Sequence, residues 1–344
     1  MKAPLILAVP AVLFVLACAT APAAPNTVER RFTLMGTSLE IRVEAADREH
    51  ALLASERAVE ILEAAETRLS TWRDDTEMAR LNAAPAGQPV PLSPALARDL
   101  GAARQCWEET GGAFDPSVGR LVRAWGLREG GRRPNPAELT DAVAAVGLEA
   151  LRLRPDSAVR ERDSLVLEEG GFGKGAGLAD ALAALAADPA VSRALLDLGG
   201  QVAVVGHEDD RWAIPVADPR RRDRPVVALL VDRGSVSTSG NSERGIVVDG
   251  QHLGHILDPR TGRPAPDFGS LTVWTADPLR ADCLSTGLYV MGPEAALGWA
   301  AKHPGVEVVV LEPDGKRLKA LASPGLKDRL EVLADDVELE FWSS

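Results

Sequence analysis

Residues 170–177 read GGFGKGAG, and this glycine-rich stretch decides how the rest of the chain is arranged around it. It follows a predicted strand at Ser164–Leu167 and opens a predicted helix at Lys174–Ala187. Glycines let two backbones approach closely, and the free N–H groups of a helix N-terminus attract an anion. The spacing matches neither the P-loop pattern nor the GxGxxG fingerprint. From this stretch alone, an anion-binding turn and a plain strand-to-helix turn are equally open.

On either side of the glycine stretch, the predicted helices and strands follow one another in mixed order. The predicted helices are Arg48–Leu69 behind an Asp47 N-cap, a helix from the Ser93-Pro94 cap to the Gly111-Gly112 stop, Pro136–Val146, Arg280–Val290 and Pro293–Lys302. The other predicted strands are two short ones within Arg31–Val43 around Met35-Gly36-Thr37, then Ala194–Leu198, Trp212–Val216, Val226–Asp232, Leu271–Thr275 and Val306–Leu311. Because helices and strands do not alternate strictly, the sequence predicts an α+β fold with a largely antiparallel mixed sheet flanked by helices.

The composition is that of an acidic globular protein. The chain has 344 residues, with 38 basic and 50 acidic side chains and a formal net charge of −12. This balance argues against a nucleic-acid binder, which would carry a basic face. Aromatic residues make up only 4% of the chain, so few side chains are available to stack a planar ligand. Apart from Cys18, the cysteines are Cys106 and Cys283, whose pairing the sequence leaves open.

The N-terminus carries the pattern of an export signal. Lys2 precedes the apolar run Leu5–Ala17, which has the length of a signal peptide and is short for a membrane span. A buried N-terminal strand is the alternative. We therefore predict a signal peptide at residues 1–17, a flexible tether at 18–28 and one domain at 29–344.

Cys18 is a candidate lipid attachment site. It follows Val15-Leu16-Ala17, which resembles a bacterial lipobox, and acylation there would anchor the protein stably to a membrane. Ordinary cleavage after one of the alanines at 19–24 is the alternative. In both cases the mature protein is expected in the periplasm.

Two later segments offer groups for chemistry. On a helix, Asp282 and Thr286 lie four residues apart on one face and could offer two hard oxygens to Mg²⁺. A capping Asp and a Thr bonded to the helix backbone are the alternative. His252 and His255 would face opposite sides of a strand, which leaves one functional histidine at most, and His255 could act as a general base. Residues 235–240 (SVSTSG) are predicted as a polar loop that touches a ligand or simply turns.

The order of these segments resembles the ApbE family, the FAD:protein FMN transferases, from about residue 31 to 312. The matching motifs are Met35-Gly36-Thr37, Leu69-Ser70-Thr71-Trp72 through Arg80-Leu81-Asn82, residues 111–119 (GGAFDPSVG) with Trp125-Gly126, Gly173-Lys174-Gly175 with Asp180, Leu198-Gly199-Gly200, Thr238-Ser239-Gly240, His255 to Gly262 (H-x-x-D-P-x-T-G) and Ala281-Asp282 with Thr286. Any one of these motifs is weak evidence, but eight in the family's order are not expected by chance.

The resemblance implies an ApbE-like fold and a catalytic domain that moves FMN from FAD to a Thr or Ser hydroxyl of an acceptor flavoprotein subunit, releasing AMP with the help of Mg²⁺. It implies His255 and Asp282 as catalytic residues, with the metal held by Asp282, Thr286 and the main-chain oxygen of Gly173. It further implies cofactor-binding residues, which are Met35, Trp72, Phe114, Asp115, Lys174, Asp180, Thr238, Ser239 and His255.

Three positions depart from the family's usual pattern. Trp72 replaces a Tyr, Gly173 replaces an Ala, and Gln201 stands where Asp or Asn is common. None of them changes the expected reaction class. A Mg²⁺-dependent FAD pyrophosphatase, with water in place of the protein hydroxyl, and a non-catalytic FAD-binding lipoprotein are the alternative functions. The combination of Asp282, Thr286 and His255 argues against the pure binder, since binding needs no base.

Overall fold

The computed structural model describes residues 26–241, 245–248 and 250–343. The predicted signal peptide at 1–17 and Cys18 lie outside these described residues. The first strand begins at Thr27, two residues before the predicted domain start at 29. Within the described residues, no helix is both long enough and apolar enough to cross a membrane.

Eight helices and seventeen strands make up the described part of the chain. The helices are α1 (Arg48–Leu69), α2 (Glu77–Ala83), α3 (Pro94–Glu109), α4 (Gly119–Ala124), α5 (Pro136–Ala144), α6 (Gly173–Ala186), α7 (Pro278–Met291) and α8 (Pro293–Ala300). The strands are β1 (Thr27–Leu34), β2 (Thr37–Ala45), β3 (Pro89–Pro91), β4 (Leu151–Leu153), β5 (Ser157–Arg160), β6 (Val191–Leu198), β7 (Gln201–Val205), β8 (Trp212–Asp218), β9 (Arg221–Val231), β10 (Gly234–Gly240), β11 (Gly245–Val248), β12 (Gln251–Gly254), β13 (Ser270–Thr275), β14 (Val306–Asp314), β15 (Arg317–Ala322), β16 (Leu330–Val332) and β17 (Val337–Phe341).

A nine-stranded sheet forms the middle layer, in the order β1-β2-β6-β7-β10-β13-β14-β15-β17. Each neighbouring pair is antiparallel except β15 with β17, which is parallel. Helices α1, α6, α7 and α8 pack on one face, and a three-stranded sheet, β16-β9-β8, packs on the other. The predicted α+β fold with a largely antiparallel mixed sheet is therefore confirmed.

Several local predictions match the structure closely. The Asp47 side chain accepts a hydrogen bond from the backbone N–H of His50 at 2.9 Å and caps α1. Ser93 caps α3 in the same way, and Gly111 and Gly112 follow its end with positive φ angles of 59° and 79°. Such signals depend only on neighbours in sequence, which is why they can be recognised without the fold.

Two sequence predictions were wrong. Ser164–Leu167 is not a strand, because it makes only one isolated bridge, from Val166 to Val118. Residues 235–240 are not a loop but most of β10, a central strand between β7 and β13. Its serine and threonine hydroxyls are satisfied by neighbouring elements, so they do not need water, and the polar pattern was misleading.

The two cysteines of the domain are free thiols in the structure. Cys106 on α3 and Cys283 on α7 are both fully buried, at the contact between these helices. Burial raises the pKa of the Cys283 thiol, which keeps it protonated. A buried, protonated thiol reacts poorly with disulfide reagents, because the thiolate is the nucleophile.

We therefore expect both thiols to resist Ellman's reagent in the folded protein and to react once denaturant exposes them. The Cys18→Ser variant provides the background, since it leaves only Cys106 and Cys283. A count of zero thiols in denaturant without reductant would show instead that the two cysteines are bonded to each other.

Candidate functional site

The glycine stretch brings the N-terminus of α6 against α7 at Asp282. The backbone N–H of Gly175 donates to Oδ2 of Asp282 at 2.9 Å, and Nζ of Lys174 lies 3.3 Å from Oδ1. Asp282 is only 3% exposed. Its charge is compensated by the lysine and by the positive end of the α6 dipole. Both oxygens of this buried carboxylate therefore point to the first turn of α6.

Gly175 is required for this contact. A Cβ at Gly175 would lie 2.5 Å from the carbonyl oxygen of Pro278 and 2.8 Å from the Cα of Leu279. Any larger residue would push the two helices apart and lengthen the hydrogen bond to Asp282. The glycine stretch is therefore a site of close helix packing as well as a helix N-terminus.

Three further predicted site residues lie around the same stretch. A Cβ at Gly171 would lie 3.3 Å from Oγ1 of Thr286 and 3.1 Å from Cε2 of Phe114. A Cβ at Gly173 would lie 3.8 Å from Cε of Met35. Met35, Phe114 and Thr286 therefore meet the glycine stretch from the β1–β2 turn, from the segment after α3 and from α7.

Met35 is held there by a strained turn. Leu34 pairs with Thr37, so the β1–β2 hairpin has a two-residue loop, Met35-Gly36. Both loop residues have positive φ angles, 50° and 69°, as a type I′ turn requires. Met35 is the one non-glycine residue with positive φ among those described, and such a residue costs about 1 kcal/mol or more. The turn places the Met35 thioether side chain near the start of α6.

Strand β10 supports α7 through hydroxyl groups. Ser239 donates to Oγ of Ser285 at 3.0 Å, and Ser285 donates to the carbonyl oxygen of Asp282, also at 3.0 Å. Thr238 lies on the opposite face of the strand, where its hydroxyl contacts that of Thr272 at 2.9 Å. Of the two predicted cofactor-binding residues on β10, Ser239 thus faces the Asp282 region and Thr238 faces away.

Gln201, one of the departures from the family pattern, also braces α7. Its Nε2 donates to the carbonyl oxygen of Pro278 at 2.8 Å and lies 3.3 Å from Oγ of Ser235. The side chain is 2% exposed. Gln201 thereby fixes the first residue of α7, which is the same residue that Gly175 approaches.

His255 lies directly after β12, and the segment that carries it is attached to the end of β10. Asn241 follows β10, and its Oδ1 accepts a hydrogen bond from the backbone N–H of Ile256 at 3.2 Å. Its Nδ2 donates to the carbonyl oxygen of Ala265 at 2.8 Å. Asn241 cannot be recognised from the sequence alone, because its partners are 15 and 24 residues away. His252 lies on β12 itself and is exposed.

The β11–β12 hairpin that leads to His255 packs against the loop after α4. A Cβ at Gly131 would lie 2.5 Å from Cβ of Ile246, so the two segments are in tight contact. Nε1 of Trp125 donates to the carbonyl oxygen of Gly262 at 2.7 Å. The segment from His255 to Gly262 is therefore held from both ends.

Two predicted cofactor-binding carboxylates are engaged by protein groups. Oδ1 of Asp115 accepts from the backbone N–H and the hydroxyl of Ser117, at 2.8 and 2.6 Å, and Oδ2 accepts from the N–H of Leu148 at 3.3 Å. Burial raises the pKa of Asp115, and these hydrogen bonds oppose that rise. The carboxylate ties the motif at 111–119 to Leu148.

Asp180, the second of these carboxylates, lies in an ion-pair network beside α6. Its oxygens lie 2.9 Å from Nη2 of Arg68 and 2.7 Å from Nη2 of Arg98. Nε of Arg68 also contacts Asp99 at 2.8 Å, and burial raises the pKa of Asp99. The network joins α1, α3 and α6, and a role of Asp115 or Asp180 in cofactor binding stays a prediction.

The site's groups fit a divalent cation such as Mg²⁺. Among the residues that the structure describes, no three His, Cys, Asp or Glu side chains form a metal-binding group. The predicted donors are instead the Asp282 carboxylate, the Thr286 hydroxyl and the Gly173 main-chain oxygen, which are hard oxygens of the kind that Mg²⁺ prefers. The Lys174 ammonium lies 3.3 Å from Oδ1 of Asp282, so a positive charge is already accommodated beside this buried carboxylate.

The comparisons with known proteins identify the family of the chain. Residues 35–310 match the ApbE family, so the chain belongs to that family. It is 32% identical to the FAD:protein FMN transferase of Treponema pallidum over 87% of this chain and 88% of that protein. It is 30% identical to the FAD:protein FMN transferase of Salmonella typhimurium over 90% of this chain and 91% of that one.

Solved structures share the fold. The flavin transferase ApbE from Vibrio cholerae superposes with a TM-score of 0.75 at 26% identity, covering 88% of this chain and 99% of that one. The ApbE protein from Thermotoga maritima gives a TM-score of 0.76 at 29% identity, covering 83% and 94%. The predicted ApbE-like fold is thereby confirmed.

The contact between α6 and α7 can be tested with one methyl group. Gly175→Ala places a Cβ against Pro278, and we expect it to lower the free energy of unfolding by about 1–3 kcal/mol, measured by urea denaturation. Gly101→Ala is the matched control, because Gly101 lies in α3 with no atom within 4 Å of its Cβ position. Alanine's helix propensity should make that variant more stable by about 0.5–1 kcal/mol. Equal effects of the two substitutions would contradict the tight contact.

Proposed function

We propose that this ApbE-family protein transfers FMN from FAD to a Thr or Ser hydroxyl of a target flavoprotein, releasing AMP in a Mg²⁺-dependent reaction. Flavin transfer is the activity in the names of its relatives, and the match in family, length and fold supports an enzyme of this kind. The acceptor hydroxyl, the AMP product and the metal are our proposals for this chain.

One observation carries the proposal. The buried Asp282 carboxylate is paired with Lys174 and with the first-turn N–H of Gly175, and the Thr286 hydroxyl lies one helical turn further along α7, against Gly171. A pyrophosphate needs positive charge and N–H donors around its oxygens while a bridging bond breaks, and the Lys174 ammonium supplies both, because it has three N–H groups and Asp282 accepts from one of them. A bound Mg²⁺ would be held by Asp282, Thr286 and the Gly173 oxygen, and would neutralise charge on the pyrophosphate.

The reaction exchanges one P–O bond for another. The acceptor hydroxyl oxygen bonds to the phosphorus of the FMN half of FAD, and the bond from that phosphorus to the bridging oxygen breaks. The bridging oxygen leaves with its electron pair as part of AMP. We assign the hydroxyl proton to His255, since an alcohol is a poor nucleophile without a base. The segment anchored by Asn241 and Trp125 would hold the imidazole in place.

We also propose that the protein acts in the periplasm, attached to a membrane through a lipid on Cys18. This proposal rests on residues 1–18 of the sequence, which combine a signal-peptide pattern with a lipobox-like tripeptide. Metabolic labelling with a radioactive fatty acid tests it, since the label should appear in the intact protein and disappear in Cys18→Ser.

The metal assignment is tested with Asp282→Asn, which keeps the shape of the side chain and removes its charge. Incubation with FAD, MgCl₂ and candidate periplasmic flavoprotein subunits should give AMP and an acceptor heavier by one FMN less one water. In Asp282→Asn we expect the rate to fall about 100-fold or more, because several kcal/mol of charge stabilisation are lost. EDTA should stop the wild-type reaction.

The control is Asp335→Asn, an exposed carboxylate between β16 and β17, which should retain the wild-type rate. Unchanged turnover in Asp282→Asn would overturn the metal assignment. AMP with free FMN and no adduct would identify hydrolysis of FAD, and neither product would identify a binding protein.

The base is tested with His255→Ala. We expect transfer to fall by about 10²–10⁴-fold while FAD binding is retained, because only the proton acceptor is removed. His252→Ala, an exposed histidine three residues earlier on β12, should transfer FMN normally. Mass spectrometry of the acceptor measures transfer, and quenching of flavin fluorescence measures binding. Normal transfer by His255→Ala would show that another group takes the proton.

A further inference from the structure

Trp72 is the most exposed of the large hydrophobic side chains in the described part of the chain, at 68%. It lies in the connection between α1 and α2. The guanidinium of Arg128 lies over its ring, with Cζ 4.3 Å from the ring centroid. One face of the indole is therefore covered by a cation, while most of the remaining surface is open. The cation–π contact favours one orientation of this otherwise exposed ring.

Arg128 is itself held rigidly. Its Nη1 donates to the carbonyl oxygen of Thr71 at 2.7 Å, and its Nη2 contacts the Thr71 hydroxyl and the Glu168 carboxylate. The Arg128 and Glu168 side chains are 27% and 14% exposed. The planar guanidinium is hydrogen-bonded to Thr71 and Glu168, which restricts its position, and Trp72 stacks on it.

The cluster is connected directly to the start of α6. The Thr71 hydroxyl also contacts the Glu169 carboxylate, and the carbonyl oxygen of Glu169 accepts from the N–H groups of Phe172 at 2.9 Å and Gly173 at 2.7 Å. Gly173 precedes Lys174, the partner of Asp282. The indole is thus fixed relative to the groups proposed to hold the pyrophosphate.

The cluster also carries negative charge that needs compensation. Glu168 and Glu169 are adjacent carboxylates, and both contact the Thr71 hydroxyl. Arg128 lies against Glu168 and supplies the positive charge there. Without it, two carboxylates one loop from the α6 N-terminus would repel an anionic dinucleotide.

We propose that Arg128 is a positioning residue for FAD: it holds the Trp72 indole as a fixed platform on which a planar ring of FAD stacks, and it neutralises Glu168 beside the pyrophosphate. The inference rests on the proposed function, because it concerns the same substrate at the same site. Stacking on a preorganised ring costs little conformational entropy, so the platform contributes to FAD binding rather than to the chemical step.

The test measures FAD affinity in EDTA, where turnover is blocked, by flavin fluorescence with the full-length protein. Trp72→Ala and Arg128→Met should each weaken FAD binding about 3- to 10-fold, which is the range of one aromatic or cation–π contact. Arg128→Met should weaken binding less in the Trp72→Ala background than in the wild type, because the part of its effect that acts through the ring is then absent. In turnover assays KM should rise with kcat unchanged, as for lost uniform binding.

Arg123→Met is the matched control, since Arg123 is exposed on α4, and it should bind FAD normally. If Arg128→Met does not fold, Arg128→Lys keeps the positive charge but loses the planar guanidinium that stacks on the ring, and it should weaken binding in the same direction. Binding of FMN and of AMP identifies the stacked ring, because Trp72→Ala should weaken only the ligand whose ring it contacts.

Wild-type FAD affinity in both Arg128→Met and Arg128→Lys would overturn the inference, as would equal affinities of wild type and Trp72→Ala for both FMN and AMP. Fully additive effects of Trp72→Ala and Arg128→Met would overturn it too. These outcomes are separate from failure of the proposed function, which appears as no AMP and no adduct from the wild-type protein while FAD binding stays measurable.

Discussion

The hydrogen bond from the backbone N–H of Gly175 to Asp282 is the constraint on which the rest of the site depends. It requires two helices to approach until a single Cβ would not fit between them. Gln201 and Ser239 then hold the first turns of α7 from the sheet side, through Pro278 and Ser285. A buried carboxylate is tolerated at this contact because a lysine and a helix N-terminus compensate its charge. The same contact between α6 and α7 therefore determines both how closely the helices pack and how the charge of Asp282 is compensated.

The acidic character of the chain does not conflict with an anionic substrate. The net charge of −12 is spread over a large surface, whereas the α6 N-terminus, Lys174 and Arg128 are concentrated around the site. At physiological ionic strength, charges more than about 8 Å away in solvent are largely screened. FAD would therefore respond mainly to the charges close to the site. There, Lys174 lies beside Asp282 and Arg128 lies beside Glu168.

The sequence predicted those features whose physical causes are local. Asp47 and Ser93 cap helices a few residues away, and the Met35-Gly36 turn closes its own hairpin, so each could be identified from neighbours alone. The strand at 234–240 could not, because its hydroxyls are satisfied by Ser285, Val202 and Thr272 from other elements. The long-range contacts of Asp115 and Arg128 could not be predicted for the same reason. Their partners lie 33 and 57 residues away, and a single sequence carries no record of such pairs.

The tight contact between Gly131 and Ile246 joins two parts of the site that are far apart in sequence. The loop at 126–131 carries Arg128, and the β11–β12 hairpin leads into His255. The loop and the hairpin therefore support each other through this contact. A change of volume at this contact would disturb the ring platform and the proposed base together. Mutations on the two sides should then show non-additive effects, with the second costing less once the first has released the contact. Substrate recognition and proton transfer would in that sense share a single mechanical support.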